Sequence, residues 1–209
     1  MVTIKALVFD VGGVLEKVGD LQHLQDRWCE RLDLAPTDFA ARLATVDPDG
    51  LIVTGGMDEP TFRRRYAEVL GLDQTQTDAF MQDMWDWYCG EPDQELIDFV
   101  AGLRPAYRTG LLSNSADGAR REEDIRYHFA DLVDELVYSH EVGLAKPDPR
   151  AYLTACARLG VQPDQAVFLD DGEDCVQGAL SVGMQAIRHR DTASSVAAIT
   201  ELLGGNGGG

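Results

Sequence analysis

Short apolar runs that stop on polar residues recur along this chain. Ile4 to Phe9 (IKALVF) is mostly apolar and ends at Asp10 and a Gly-Gly pair, the pattern of a buried strand entering a tight loop. Arg108 to Leu112 (RTGLL) runs into Ser113-Asn114-Ser115, and Glu135 to Ser139 is a third strand candidate. Ala166 to Leu169 (AVFL) ends on Asp170-Asp171, and Met184 to Ile187 is a fifth. Helical spacing fills the gaps. Asp148-Pro149 opens a helix with Ala151, Tyr152, Ala155 and Leu159 on one face and Gly160 at its end; Glu173 to Val182 and Thr192 to Leu203 form two more. Strands alternating with helices predict an α/β fold with a parallel sheet covered on both faces. Ligands of such sheets bind beyond the carboxyl ends of the strands, where Asp10, Ser113 and Asp170-Asp171 fall.

The stretch from Lys17 to Asp93 follows a different period. Trp28, Leu32, Phe39, Leu43, Phe62, Tyr66, Leu70, Phe80, Met84 and Trp87 are spaced for amphipathic helices, with no strand run among them. Asp58-Glu59-Pro60 reads as a helix start. The expected organisation is a core of residues 1–16 and 94–204, a helical insertion over 17–93, and a flexible tail over 205–209.

Composition narrows the classes. The 209 residues carry 18 basic and 36 acidic side chains, a net charge of −18, which disfavours nucleic acid and anionic lipid as partners. No apolar run approaches the ~20 residues that span a bilayer, and the strand-like start predicts no secretory signal. Cys29, Cys89, Cys156 and Cys175 form no C-x-x-C pair, so reduced thiols and a cytoplasmic location are expected. The four histidines have no metal-ligand spacing.

Four polar motifs then stand in order: Phe9-Asp10-Val11-Gly12-Gly13-Val14-Leu15, Leu112-Ser113-Asn114-Ser115, Lys146-Pro147 and Phe168-Leu169-Asp170-Asp171. A strand ending in two carboxylates is costly unless they face water or a cation. The positive charge of Lys146, near Asp10 and a phosphate, would stabilise both. Together the motifs resemble those of the haloacid dehalogenase (HAD) superfamily, over essentially the whole chain. The run from His128 to Met184 is especially similar to the N-terminal phosphatase domain of soluble epoxide hydrolases.

The resemblance implies a Rossmann-like parallel-sheet core with an inserted helical cap. It implies a phosphatase acting on a small phosphorylated metabolite through an aspartyl phosphate on Asp10. Lys146 would assist, Ser113 and Asn114 would bind the phosphoryl oxygens, and Mg2+ would be held by Asp10, the Gly12 carbonyl, Asp170 and Asp171. The chain departs from the pattern at one place. Most such phosphatases carry an acid/base Asp two residues after the nucleophile, where this chain has Gly12. General acid–base help is worth roughly 10²–10⁴-fold. Three outcomes stay open: substrates with good leaving groups, a proton from another group such as Glu16 or a cap residue, or a phosphate-binding protein that turns over weakly. A dehalogenase, which uses the same Asp without metal, is disfavoured by the Asp170-Asp171 pair.

Within the insertion, Trp28, Trp85, Trp87 and Tyr88 suit helix packing. Trp85 and Trp87, two apart, cannot share one helical face, so at least one of them is free to face outward or toward the cleft. Arg63-Arg64-Arg65 reads as a solvated helix face.

Overall fold

The computed structural model describes residues 3–204; the tail expected over 205–209 lies outside them. Among the described residues the strands are β1 (Ala6–Phe9), β2 (Glu16–Lys17), β3 (Glu91–Pro92), β4 (Arg108–Ser113), β5 (Glu135–Tyr138), β6 (Ala166–Asp170) and β7 (Gln185–Arg188). The α-helices are α1 (Leu21–Leu32), α2 (Pro36–Leu43), α3 (Glu59–Leu70), α4 (Gln74–Cys89), α5 (Gln94–Leu103), α6 (Ala119–Tyr127), α7 (Phe129–Leu132), α8 (Ser139–Val142), α9 (Pro149–Leu159), α10 (Glu173–Ser181) and α11 (Thr192–Gly204).

Five strands form one sheet in the order β5-β4-β1-β6-β7, with every pairing parallel. The five apolar runs of the sequence are these five strands. Alternation of side chains along β1 splits the core in two. Leu7 and Phe9 join Leu111, Val167 and Leu169 on one face, under Leu96 and Val100 of α5 and Ile199 of α11. Ala6 and Val8 join Leu112, Ala166 and Phe168 on the other, under Ala151, Tyr152, Ala155 and Leu159 of α9. Those four α9 residues are the face that the helical spacing predicts. Phe9 pairs with Leu111 on one side and Leu169 on the other, so Asp10 and Asp170 emerge one residue later at the same sheet edge.

Helices α1–α4 lie between β1 and α5 and add nothing to the five-stranded sheet. Their starts are chemically marked. Asp20, Asp58 and Asp73 cap α1, α3 and α4 through side-chain bonds to first-turn N–H groups, with Pro60 in the first turn of α3. Trp28, Phe39, Phe62, Phe80 and Trp85 bury a separate core that reaches Ala119 and Tyr138 on the sheet domain. The pattern analysis found no strand here, yet β2 and β3 pair antiparallel where the chain leaves and re-enters. Two residues per strand are too few to show a period.

Charged and polar links tie the helical layer to α6 and its approach. Arg121 Nη1 lies 2.8 Å from Glu59 Oε2, Arg126 Nη2 lies 2.7 Å from Asp86 Oδ1, and the Glu59 N–H donates to Asp117 at 2.9 Å. Gly90 closes the crossing. It has φ +58, and an added Cβ would lie 1.8 Å from the Lys17 carbonyl oxygen. Gly90→Ala is therefore expected to cost about 1–3 kcal/mol in urea unfolding; an unchanged midpoint would contradict this close crossing of the two connecting segments.

Candidate active site

The carboxyl ends of β1, β4 and β6 meet at a cleft of about 380 Å³ lined by Asp10, Gly12, Ser113, Asn114, Lys146, Asp170 and Asp171, among others. All the residues singled out in the four sequence motifs converge here. Lys146 is buried, and its Nζ lies 2.6 Å from Asp10 Oδ1 and 2.6 Å from Asp170 Oδ2. Asp170 is itself buried and accepts from the Gly172 N–H at 2.8 Å. Asp10 accepts from the Val11 N–H at 2.8 Å.

Asn114 has a more specific place than its position in sequence suggested. Its Nδ2 donates to the Lys146 carbonyl at 2.8 Å, and its Oδ1 accepts from the Lys146 N–H at 2.7 Å. The amide thus clamps the lysine backbone, fixing where Nζ reaches. Ser113 is buried beside it, with the Tyr88 hydroxyl facing it from α4. Ser115 donates its N–H to Ser139 Oγ at 2.8 Å, anchoring the loop.

The electrostatics are those of a site short of positive charge. Burial, helped by Asp170, pushes the Asp10 carboxyl up to about 7 against the pull of Lys146. The two carboxylates in turn hold the Lys146 ammonium above the usual lysine range despite its burial. Asp10, Asp170 and Asp171 offer carboxylate oxygens that all lie within 4.8 Å of one another. An all-oxygen set of this kind suits a hard divalent cation such as Mg2+. Gly13 makes room for it: with φ +78, an added Cβ there would sit 2.6 Å from Asp171 Oδ2. Only glycine lets the loop pass this close to the exposed carboxylate.

Two kinds of residue in the cleft lie outside the four motifs. Trp87 and Tyr88 line the cleft, whereas Trp85 is buried with its Nε1–H donating to Glu59 Oε1 at 3.1 Å. The two-residue offset between the tryptophans was the available signal, and Trp87 is the one that faces the cleft. Glu16 also lines it, in β2. Its side chain is 1% exposed and neither carboxyl oxygen has a hydrogen-bond partner among the described residues. Burial, with Glu123 and Asp10 nearby, pushes its carboxyl up to about 10. Its sequence neighbours Leu15 and Lys17 gave no sign of that burial.

The remaining expectations resolve as structure. Arg63 pairs with Asp78, Arg64 Nε lies 3.6 Å from Glu68 Oε1, and Arg65 donates to the Val46 carbonyl at 2.8 Å, all within the helical layer. All four cysteines are free thiols, three of them buried. No helix among the described residues is long and apolar enough to cross a membrane.

Glu16 sets a pH dependence. Its folded-state value lies above the ordinary glutamate value, so its contribution to stability is fully present below about 4.5 and is lost as pH rises toward about 10. Glu16→Gln, which needs no ionisation, should flatten the fall in Tm between pH 5 and 9 and gain on the order of 2 kcal/mol at pH 8 in metal-free buffer. Parallel Tm curves for the two proteins would contradict a neutral buried Glu16.

Comparison with known proteins finds relatives of the whole chain. The family model for haloacid dehalogenase-like hydrolases matches residues 4–183. "Phosphatase MT3486" of Mycobacterium tuberculosis is 48% identical over 193 residues, covering 88% of this chain and 86% of that protein. "Bifunctional epoxide hydrolase 2" of Sus scrofa is 33% identical over 225 residues, which is 96% of this chain but 39% of that protein. A solved HAD-like family hydrolase from Porphyromonas gingivalis superposes with a TM-score of 0.75 at 26% identity, covering 96% of this chain and 98% of that one. The chain belongs to the haloacid dehalogenase-like hydrolase family.

Proposed function

We propose that this protein is a Mg2+-dependent phosphatase that hydrolyses small phosphomonoesters through an aspartyl phosphate on Asp10. The observation that carries the reading is the charge arrangement: three carboxylates whose oxygens lie within 4.8 Å, balanced by one buried ammonium. Phosphoryl transfer asks a protein mainly for positioning and for cancelling charge. The similarity to a phosphatase at 48% identity supports the same reading.

In this reading an Asp10 carboxylate oxygen attacks phosphorus, the ester P–O bond breaks, and the leaving oxygen takes a proton. Water then attacks the same phosphorus, the Asp10–phosphorus bond breaks, and inorganic phosphate leaves with Asp10 restored. Lys146 holds the Asp10 carboxylate in place and offers charge to the transferring group. Ser113 and the backbone N–H groups after β4 serve the phosphoryl oxygens, while the Asn114 side chain keeps Lys146 in register. Asp10, Asp171, the Gly12 carbonyl and, directly or through Asp171, Asp170 would hold Mg2+, which would supply the positive charge that lets one anion be attacked by another. Residues 17–93 act as the cap, with Trp87 and Tyr88 keeping water from the cleft.

Gly12 carries no proton, so the leaving group takes one from water or from Glu16, whose carboxyl stays neutral through physiological pH. There is room to restore the usual residue. An added Cβ at Gly12 would meet only Val18 Cγ2, at 3.5 Å.

A phosphate-release screen over small phosphomonoesters tests the reading. Turnover should appear with Mg2+, vanish with EDTA, and fall at least about 10³-fold in Asp10→Asn. Gly12→Asp should raise turnover of alkyl phosphates by roughly 10–100-fold, and activated esters much less. Phosphate binding without release, in wild type and Gly12→Asp alike, would instead favour a phosphate-binding protein.

A further inference from the structure

A second cavity, of about 150 Å³, lies in the helical layer against the catalytic cleft. Phe62, Tyr66, Met81 and Met84 line it, and Trp87 and Tyr88 line both it and the cleft. These two side chains border both the phosphoryl site and the apolar space. No charged side chain lines the smaller cavity. The indole N–H of Trp87 is buried and has no hydrogen-bond partner among the described residues. Trp85 and Tyr88 meet edge to face at 5.5 Å, so the aromatic wall is braced from within the cap.

Two properties of this space select a ligand. Its lining is carbon, sulfur and aromatic faces, so a hydroxyl placed there would lose its water without gaining a partner. Its size is that of an apolar cavity of about 150 Å³ that accommodates one benzene molecule. A well-packed core leaves few voids larger than a water molecule. An apolar space of this size that shares Trp87 and Tyr88 with the catalytic cleft is placed to receive the part of a substrate that is not phosphate.

We propose that the substrate's organic group is compact and apolar, a single ring or a branched chain of about six carbons, seated between Phe62, Tyr66, Met81, Met84, Trp87 and Tyr88. This rests on the phosphatase reading and specifies its substrate class. A phosphate at Asp10 leaves the first carbon of the ester beside Tyr88, and the ring passes Trp87 into the cap. Polyol and sugar phosphates have the wrong surface for the space. Long-chain alkyl phosphates overrun it.

The test compares benzyl phosphate with glycerol phosphate and ribitol 5-phosphate. All three leave as primary alkoxides, so leaving-group chemistry is closely matched. Each buried methylene is worth about four-fold, and the expected kcat/KM for benzyl phosphate is at least about 100-fold above the other two. Dodecyl phosphate should gain nothing over hexyl phosphate. Met84→Trp, which fills the cavity, should lower kcat/KM for benzyl phosphate at least ten-fold more than for glycerol phosphate. Should that variant fail to fold, titration calorimetry on the wild type gives the same answer. Benzylphosphonate should bind at least about 30-fold more tightly than methylphosphonate.

Equal or reversed preference, with phosphate still released from polyol esters, overturns the substrate class and leaves the phosphatase reading standing. No release from any ester, with benzylphosphonate and methylphosphonate bound equally or not at all, overturns both.

Discussion

The structure is organised around a shortage of positive charge. Asp10, Asp170 and Asp171 are drawn together at the ends of two adjacent parallel strands, and among the described residues it is Lys146 that pairs with Asp10 and Asp170 from within the cleft. Taking charges out of water is expensive, and the interaction that repays it requires good geometry. The raised carboxyl of Asp10 is the visible cost. In the proposed function, a further cation and a phosphoryl group would complete the balance.

Much of the rest of the fold serves to hold that arrangement. The parallel register of β1 with β6 sets Asp10 beside Asp170. The two hydrogen bonds from Asn114 to the Lys146 backbone link the end of β4 to the loop before α9, so the lysine is fixed relative to two strands at once. Lys146 Nζ also lies 5.4 Å from the centre of the Phe168 ring, an apolar neighbour that helps keep the ammonium dry. Gly13 allows the loop after β1 to pass against Asp171 without a clash. The helical layer is fastened to α6 through Arg121 and Arg126, so Trp87 and Tyr88 are held over the same point.

How much of this could be read from the sequence follows from the range of each interaction. The sheet strands were legible because apolar runs ending in polar residues are local signals, and Asp10, Ser113, Lys146 and Asp170-Asp171 were legible because they sit at those ends. The pair β2–β3 was not, since each strand is two residues long and they meet across the whole insertion. The role of Asn114 was hidden for the same reason: its partner is 32 positions away in sequence. Glu16 was noticed for its nearness to Asp10, but its pairing with Pro92 and the nearness of Glu123 come from distant parts of the chain, which no local pattern encodes. Trp87 was half legible. Its offset from Trp85 separates their faces, and the fold decides which face meets the cleft.

Charge at this site is best followed as the site fills. Fluoroberyllate, a mimic of a transferring phosphoryl group, should be soaked into crystals together with Mn2+, whose anomalous signal marks the ion. Beryllium is expected bonded to an Asp10 oxygen, with the ion between Asp10 and Asp171 and Lys146 still within hydrogen-bond distance of the bound group. An Asp10 left unmodified, with Mn2+ bound elsewhere or not at all, would contradict it.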